Sequence, residues 1–283
     1  MTVSQALRRA EHRLREAGVS EPALDGELLL RHVLGWDRAA VIARGGEPLA
    51  TALETRFLAL VEERAARRPL QHLTGTQAFW RHEFLVTPDV LVPRPETEVL
   101  VEAALELMRG RAEPLVVDVG TGSGCVALSI AAERPDALVH AIDVSPAALA
   151  VARENARRLR LQARVEMHEG DLLAPVARLE GRVDLVVSNP PYVDPIELPA
   201  LAPEVRDHEP RHALLAAEPP YGIYRRLARE ARRMLRPGGR LLVEVGQGMA
   251  ETVAEAFGAA GLAGVETRPD LAGVARVVLG RRP

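Results

Sequence analysis

Four consecutive residues, Asn189-Pro190-Pro191-Tyr192, are suited to one kind of chemistry. The two prolines restrict the backbone of residues 189–191, so the Asn189 carboxamide and the Pro190 carbonyl are held in set directions. Both oxygens can accept hydrogen bonds from a single –NH2 group, and Tyr192 offers a flat face for a planar amide or base to stack on. A planar nitrogen is a poor nucleophile because its lone pair is delocalised. Two acceptors that hold its hydrogens aim the lone pair and stabilise the positive charge that grows on it, so positioning and electrostatics do the work of a strong base. Two prolines can also simply end a strand, but a strand end does not call for Asn before them and an aromatic after them. Asn189, Pro190 and Tyr192 are therefore the expected catalytic residues, with Pro191 beside them in substrate binding and no dedicated acid–base pair.

A second constellation lies upstream. Asp118-Val119-Gly120-Thr121-Gly122-Ser123-Gly124 closes an apolar run and opens a helix-like stretch. Glycines let a backbone turn sharply and approach a ligand, and N–H groups at a helix start face it. A dinucleotide fingerprint reads G-x-G-x-x-G; here Gly124 comes one residue early and Cys125 takes the expected place. That spacing is typical of methyltransferases, whose cofactor has no pyrophosphate to cradle. Asp143 closes the next run, about 20 residues beyond Gly120, where an acidic residue can accept both hydroxyls of a ribose. Its alternative is to cap the helix opening near Ser145-Pro146. Gly170-Asp171-Leu172 closes a third run, where Asp171 would accept from an adenine amine and Leu172 would lie against the ring. Gly120, Thr121, Gly122, Ser123, Gly124, Asp143, Asp171, Leu172 and Asn189 thus form the expected site for S-adenosylmethionine, and methyl transfer to a planar nitrogen is the expected reaction.

Elements must bring these segments together. After Pro114 the Val/Ile/Leu-rich runs Leu115–Val119, Leu138–Ile142, Val165–His168, Val183–Ser188 and Leu241–Val245 alternate with helical stretches. This is the signature of parallel strands covered on both faces. The runs Gly264–Thr267 and Ala275–Leu279 leave no room for a crossover helix and are expected to be antiparallel. The expected fold is α/β: a Rossmann-like, seven-stranded class I methyltransferase sheet with a small N-terminal helical bundle and a hairpin connector. Apolar spacings of three and four residues from Thr2 to Arg68 predict the bundle, with capping boxes at Thr2…Gln5 and Thr51…Glu54 and helix stops at Gly18 and Gly45-Gly46. Aromatics Phe79, Trp80 and Phe84 mark the hairpin, with Phe79 and Trp80 expected either at the cofactor pocket or in the core between domains, the core being the preferred reading. The expected domains are residues 1–70, a helical substrate-recognition domain; 71–97, the hairpin linker; and 98–283, the methyltransferase domain.

Composition narrows the class. The 283 residues carry 47% hydrophobic and 27% charged residues, an ordinary globular balance, and a net charge of −3. No global basic field draws the chain onto nucleic acid, and Arg64, Arg67 and Arg68 read as a solvated helix face. The single cysteine, Cys125, excludes an internal disulfide and a cysteine-based zinc site, and no metal is expected. All basic charge is arginine; there is no lysine. No signal-like or membrane-length apolar run is present, so a cytoplasmic location without membrane contact is expected.

With these residues in view, the sequence resembles the bacterial release-factor glutamine N5-methyltransferases, the PrmC or HemK family. The likeness covers nearly the whole chain and includes Gln71-His72-Leu73-Thr74-Gly75, Leu91-Val92-Pro93-Arg94-Pro95-Glu96-Thr97-Glu98, the glycine loop, Asn189–Tyr192, and His208-Glu209-Pro210 with Ala213-Leu214. The resemblance implies methylation of the glutamine in the Gly-Gly-Gln motif of class 1 peptide chain release factors. It places the cofactor on residues 120–124, Asp143, Asp171, Leu172 and Asn189, and the glutamine on Asn189, Pro190, Pro191 and Tyr192. The segment Pro93–Glu98 separates this family from a sister family acting on a ribosomal-protein glutamine, which usually has Ser-Pro after the arginine. Without the resemblance, Arg94 and Glu98 read as a surface ion pair. Asp270-Leu271-Ala272-Gly273-Val274-Ala275-Arg276 lacks the acidic residue that often precedes that arginine in the family. A DNA or RNA adenine N6-methyltransferase would share the cofactor site and Asn189–Tyr192, but no arginine-dense recognition helix is present. A fold kept only as a binding module would have no need of both constellations.

Overall fold

The computed structural model describes residues 1–215 and 221–283. Its contacts divide the chain into two units: residues 1–76 with 201–208, and residues 77–200 with 209–283.

The first unit is helical, with Val3–Glu16, Pro22–Leu34, Arg38–Ala43, Thr51–Ala65, Leu70–Thr74 and the returning Pro203–His208. Val3, Ala6, Ala10 and Leu14 recur at three- and four-residue spacing and lie fully buried against Leu29, Leu30 and Phe57. Burial of each large side chain contributes about 1.5–3 kcal/mol. The capping box at Thr2 forms, with Gln5 N–H donating to Thr2 Oγ1 at 3.3 Å and Thr2 N–H to Gln5 Oε1 at 2.8 Å. The one expected at Thr51…Glu54 does not, because Thr51 is already helical and Ala50 holds the cap position. The expected arginine face is also corrected. Arg64 is 5% exposed and donates to Asp25 at 2.7 Å, with Glu204 2.9 Å away. Arg67 binds Glu204 through two nitrogens at 2.8 and 2.7 Å, and Arg68 pairs with Glu63. Arg64 is an internal strut and Arg67 a half-buried one, and through these two the segment 201–208 joins the bundle, whereas Arg68 stays in a partly exposed surface pair.

From the boundary at Thr76 the chain runs into strands β1 (Thr76–Phe79) and β2 (His82–Leu85), a two-stranded sheet. Phe79 and Phe84 pack edge to face, centroids 6.0 Å apart, inside the core, and Trp80 packs half-buried against it. Seven strands follow: β3 (Leu115–Val119), β4 (Leu138–Asp143), β5 (Val165–Glu169), β6 (Val183–Ser188), β7 (Leu235–Glu244), β8 (Ala263–Pro269) and β9 (Ala275–Arg281). Their order is β5-β4-β3-β6-β7-β9-β8, with β9 antiparallel to both neighbours and the rest parallel. Strand alternation splits the core: Val116 joins the cluster with Leu100 and Leu128, whereas Val117 and Val119 join Tyr224, Leu227 and Phe257 on the other face. β7 starts at Leu235 rather than Leu241, carrying a register shift opposite Val183–Leu185 in which Gly238 takes a φ of +78°. No helix among the described residues is long and apolar enough to cross a membrane.

Candidate active site

The sheet order reverses between β3 and β6, since the chain steps outward through β4 and β5 on one side and β7 on the other. Open α/β sheets bind ligands at such a switch point, outside the carboxyl ends of the strands. Val119 and Ser188 are register partners there, and Ser188 Oγ donates to the Val119 carbonyl at 2.7 Å. The glycine loop and the Asn189 segment therefore leave the sheet side by side. A cavity of about 310 Å³ opens between them.

Gly120, Thr121, Gly122 and Ser123 line this cavity together with Asp143, Asp171, Leu172, Asn189, Pro190 and Pro191. Gly124 lies behind the wall. Its φ of +82° starts the helix Cys125–Glu133, and a Cβ there would meet Leu128 at 3.0 Å and Ala152 at 3.2 Å. Gly122, at φ +54°, turns its N–H onto Asp143 Oδ2 at 2.9 Å, while Asp143 Oδ1 accepts from Ser145 N–H at 2.9 Å. Asp143 thus braces the loop and the segment before the next helix, whose cap is Ser145 itself, and each of its oxygens keeps a lone pair free. Leu172 is 5% exposed. The Asp171 carboxylate is largely exposed and paired with Arg226, itself at the cavity edge.

At the other end, Asn189 Nδ2 donates to Thr97 Oγ1 at 3.2 Å. Tyr192 does not line the cavity; its half-buried ring packs against Gly246, where a Cβ would stand 3.1 Å from it. Burial raises the Tyr192 hydroxyl above its usual range. Phe79 and Trp80 also stay off the cavity wall, and Trp80 is held by Glu98 at its backbone N–H and Glu133 at its ring nitrogen. Arg94 and Glu98, which read as a surface ion pair only without the resemblance, do not pair: Arg94, on the cavity wall, reaches Glu209 at 2.6 Å instead. Glu209 is 5% exposed and burial raises its carboxyl against the pull of that guanidinium.

Three of the buried acids lie at or beside the site without a role expected from sequence. Besides Glu209 these are Asp118 and Glu244, both pushed up to about 7 by burial. Asp118 Oδ2 accepts from Thr121 Oγ1 at 2.7 Å and Ala127 N–H at 3.2 Å, fastening the glycine loop to its helix. The signal that marks Asp118 and Glu244 in sequence is an acidic residue inside an otherwise apolar strand end. Away from the cavity, His140 Nδ1 and His168 Nε2 approach to 2.9 Å beside Glu166, which Arg178 neutralises at 3.1 Å.

Two family models match the chain: the PrmC N-terminal domain over residues 5–75 and the methyltransferase small domain over residues 96–202. The release factor glutamine methyltransferase of Cereibacter sphaeroides is 47% identical over 285 residues, covering 100% of this chain and 99% of that one. Its namesake from Moorella thermoacetica is 44% identical over 283 residues, with 100% and 99% covered. Among solved structures, the catalytic domain of hMettl16 in complex with an MAT2A 3'UTR hairpin matches with a TM-score of 0.57 at 14% identity, over 70% of this chain and 74% of that one, a likeness of fold alone. Identity at this level along the whole of both curated relatives, on a sheet with the methyltransferase strand order, means that the chain belongs to the release factor glutamine methyltransferase family.

Proposed function

We propose that the chain transfers the methyl group of S-adenosylmethionine to the side-chain amide nitrogen (N5) of a glutamine in class 1 peptide chain release factors, the glutamine of their Gly-Gly-Gln motif. The observation that carries this reading is that Asn189, an acceptor suited to a planar –NH2, shares one cavity with the glycine loop and Asp143. Family membership supports the choice of a release factor glutamine.

The residues present fit the cofactor. Asp143 has one lone pair per oxygen left for ribose hydroxyls after its two backbone bonds, each such bond being worth about 1.5–3 kcal/mol. Gly120 to Gly124 would let the backbone approach it, and Asp171 and Leu172 would bound the adenine. When bound, S-adenosylmethionine supplies a methyl group on a positively charged sulfur.

The chain's own residues then act on the amide. Thr97 holds Asn189 Nδ2, so Asn189 Oδ1 is the end left to accept from the substrate –NH2. The Pro190 carbonyl accepts its second hydrogen, with Pro191 stiffening the segment. Together they orient the lone pair and stabilise positive charge on nitrogen. Tyr192 supports this segment from the Gly246 side. A glutamine on a loop offers little binding area, so the helical domain, residues 1–70, would grip the release factor elsewhere.

The test mixes the full chain with labelled S-adenosylmethionine and a class 1 release factor, beside a copy whose Gly-Gly-Gln glutamine is alanine. Label on the unaltered factor alone, mapped to that glutamine, is expected. Transfer to DNA or to a ribosomal protein, with none to the release factor, overturns the substrate assignment.

A further inference from the structure

Next to Asn189 lies a buried acid to which the reaction as described gives no task. Ser188 and Val243 are partners in the parallel register of β6 and β7. The next residues along, Asn189 and Glu244, therefore leave the two strands together on the opposite face of the sheet. Glu244 is 3% exposed, and its Oε2 is buried without a hydrogen-bond partner. Thr97, also 3% exposed, sits beside both: its Oγ1 accepts from Asn189 Nδ2 at 3.2 Å, and Thr97 and Asn189 both favour the charged form of the Glu244 carboxylate.

We propose that Glu244 is a positioning residue which, through Thr97, decides which end of the Asn189 carboxamide faces the substrate nitrogen. The proposal rests on the reading that Asn189 Oδ1 accepts from the glutamine amide. A carboxylate can only accept, so it draws the Thr97 hydroxyl proton toward itself. The Thr97 oxygen can then only accept on its other side. Of the two ends of the Asn189 carboxamide, only –NH2 satisfies that demand, and Oδ1 is turned away toward the substrate. Without the carboxylate, the Thr97 hydroxyl can rotate and donate to Asn189 Oδ1. The flipped carboxamide would then set its –NH2 against the –NH2 of the glutamine.

Protonation of Glu244 gives it a donor of its own and releases the constraint. Burial raises Glu244 to about 7, with Glu96 in the same direction, while Thr97, Arg276 and Asn189 pull the other way. Arg276 comes from β9 and is held by Asp270 at 2.9 Å. Tyr192 from the segment after β6, Cys125 from the helix Cys125–Glu133 and Tyr224 from the helix Gly222–Met234 also face it, the Tyr224 hydroxyl donating to the Glu244 backbone carbonyl at 3.1 Å.

The experiment follows methyl transfer to the glutamine substrate, and S-adenosylmethionine binding, from about pH 5.5 to 9. It compares the wild type with Glu244→Gln, Thr97→Val and Thr97→Ser. In the wild type, kcat should fall below about pH 7. Glu244→Gln keeps the shape but carries its own donor. It should lower kcat about tenfold, the worth of one well-placed hydrogen bond, lose the acid limb and keep cofactor binding within about twofold. Thr97→Val should match it, and Thr97→Ser should restore both rate and limb. A Glu244→Gln variant with wild-type kcat and an unchanged limb overturns the proposal, as does a Thr97→Ser variant as impaired as Thr97→Val. Loss of cofactor binding in both impaired variants marks a purely structural role and overturns it too. A wild type that binds cofactor but transfers nothing to the glutamine removes the functional reading itself, an outcome distinct from the others.

Discussion

The side-chain amide nitrogen of Asn155 lies 2.9 Å from the Ser123 carbonyl, a buried bond that ties the helix Pro146–Arg158 to the glycine loop. The same carboxamide closes on the hairpin: Nδ2 donates to the Leu85 carbonyl at 3.0 Å, and Oδ1 accepts from Leu85 N–H at 2.7 Å. Asn155 is 1% exposed. Asn155→Leu fills the space but leaves three backbone groups unpaired, each costing about 1–3 kcal/mol when buried. The expected loss of unfolding free energy is about 3–5 kcal/mol, measured by urea denaturation. A loss under about 1 kcal/mol would mean that water replaces the carboxamide.

Asp143 is predicted to carry cofactor affinity. Asp143→Ala removes both ribose acceptors and should weaken S-adenosylmethionine binding by at least about 100-fold, read by calorimetry. Because Gly122 and Ser145 also lose their acceptor, thermal stability should fall as well. Asp143→Asn keeps an acceptor oxygen and should sit between. Unaltered affinity in the alanine variant would remove Asp143 from the cofactor site.

The Arg64 network gives the helical unit its own test. Arg64→Met strands Asp25 as a buried acid, leaves Glu204 to Arg67 alone, and should cost about 3–5 kcal/mol. Adding Asp25→Leu should recover part of that, since replacing a buried pair by apolar groups is often close to neutral. Denaturation of the single and double variants checks the order; a double variant less stable than Arg64→Met refutes it.

Asp118 makes stability depend on pH with a sign opposite to an ordinary paired carboxylate. Burial, opposed by the Thr121 and Ala127 bonds, raises it from 3.8 to about 7. Between about pH 4 and 7 the native state holds a proton that the unfolded state has released. Stability from this group is complete below the unfolded value and is lost as pH rises through 7, by at most about 1.4 kcal/mol per pH unit. Glu244 has the same sign. His140 and His168, lowered by burial, act oppositely below about 6.5, so the test is a difference. Asp118→Asn should remove the Asp118 slope and leave the rest, making stability fall less steeply, or rise more steeply, with pH than in the wild type. Parallel curves would show that Asp118 titrates normally.

The strands along the chain and the site's main segments are legible in sequence because each rests on a local pattern. Runs such as Val183–Ser188 carry their own apolar signature, and the restricted backbone at Pro190-Pro191 follows from the residues themselves. What sequence spacing does not contain is pairing across the chain. Arg94 lies near Glu98 in sequence and binds Glu209; Arg64 and Arg67 look like a solvated face and close on Asp25 and Glu204. Thr97 and Glu244 become neighbours of Asn189 only through the β6–β7 register and a 3-10 turn at Pro95–Thr97.

Tyr192 and Gly246 close the site from behind. A Cβ at Gly246 would stand 3.1–3.2 Å from two ring carbons of Tyr192 and 2.9 Å from Met249 Sδ. Met249 can swing aside, but the ring is fixed to the backbone that carries Asn189 and Pro190. Gly246→Ala should therefore move the ring by a few tenths of an ångström and, with it, the two acceptors. A displacement of that kind lowers kcat by up to about 100-fold while the cofactor end, built on other strands, keeps its affinity. Tyr192→Phe keeps the ring in place and should cost less than about threefold, whereas Tyr192→Ala should fall with Gly246→Ala. Equal losses in Tyr192→Phe and Tyr192→Ala would assign the effect to the hydroxyl rather than to the ring, and would break the link to Gly246.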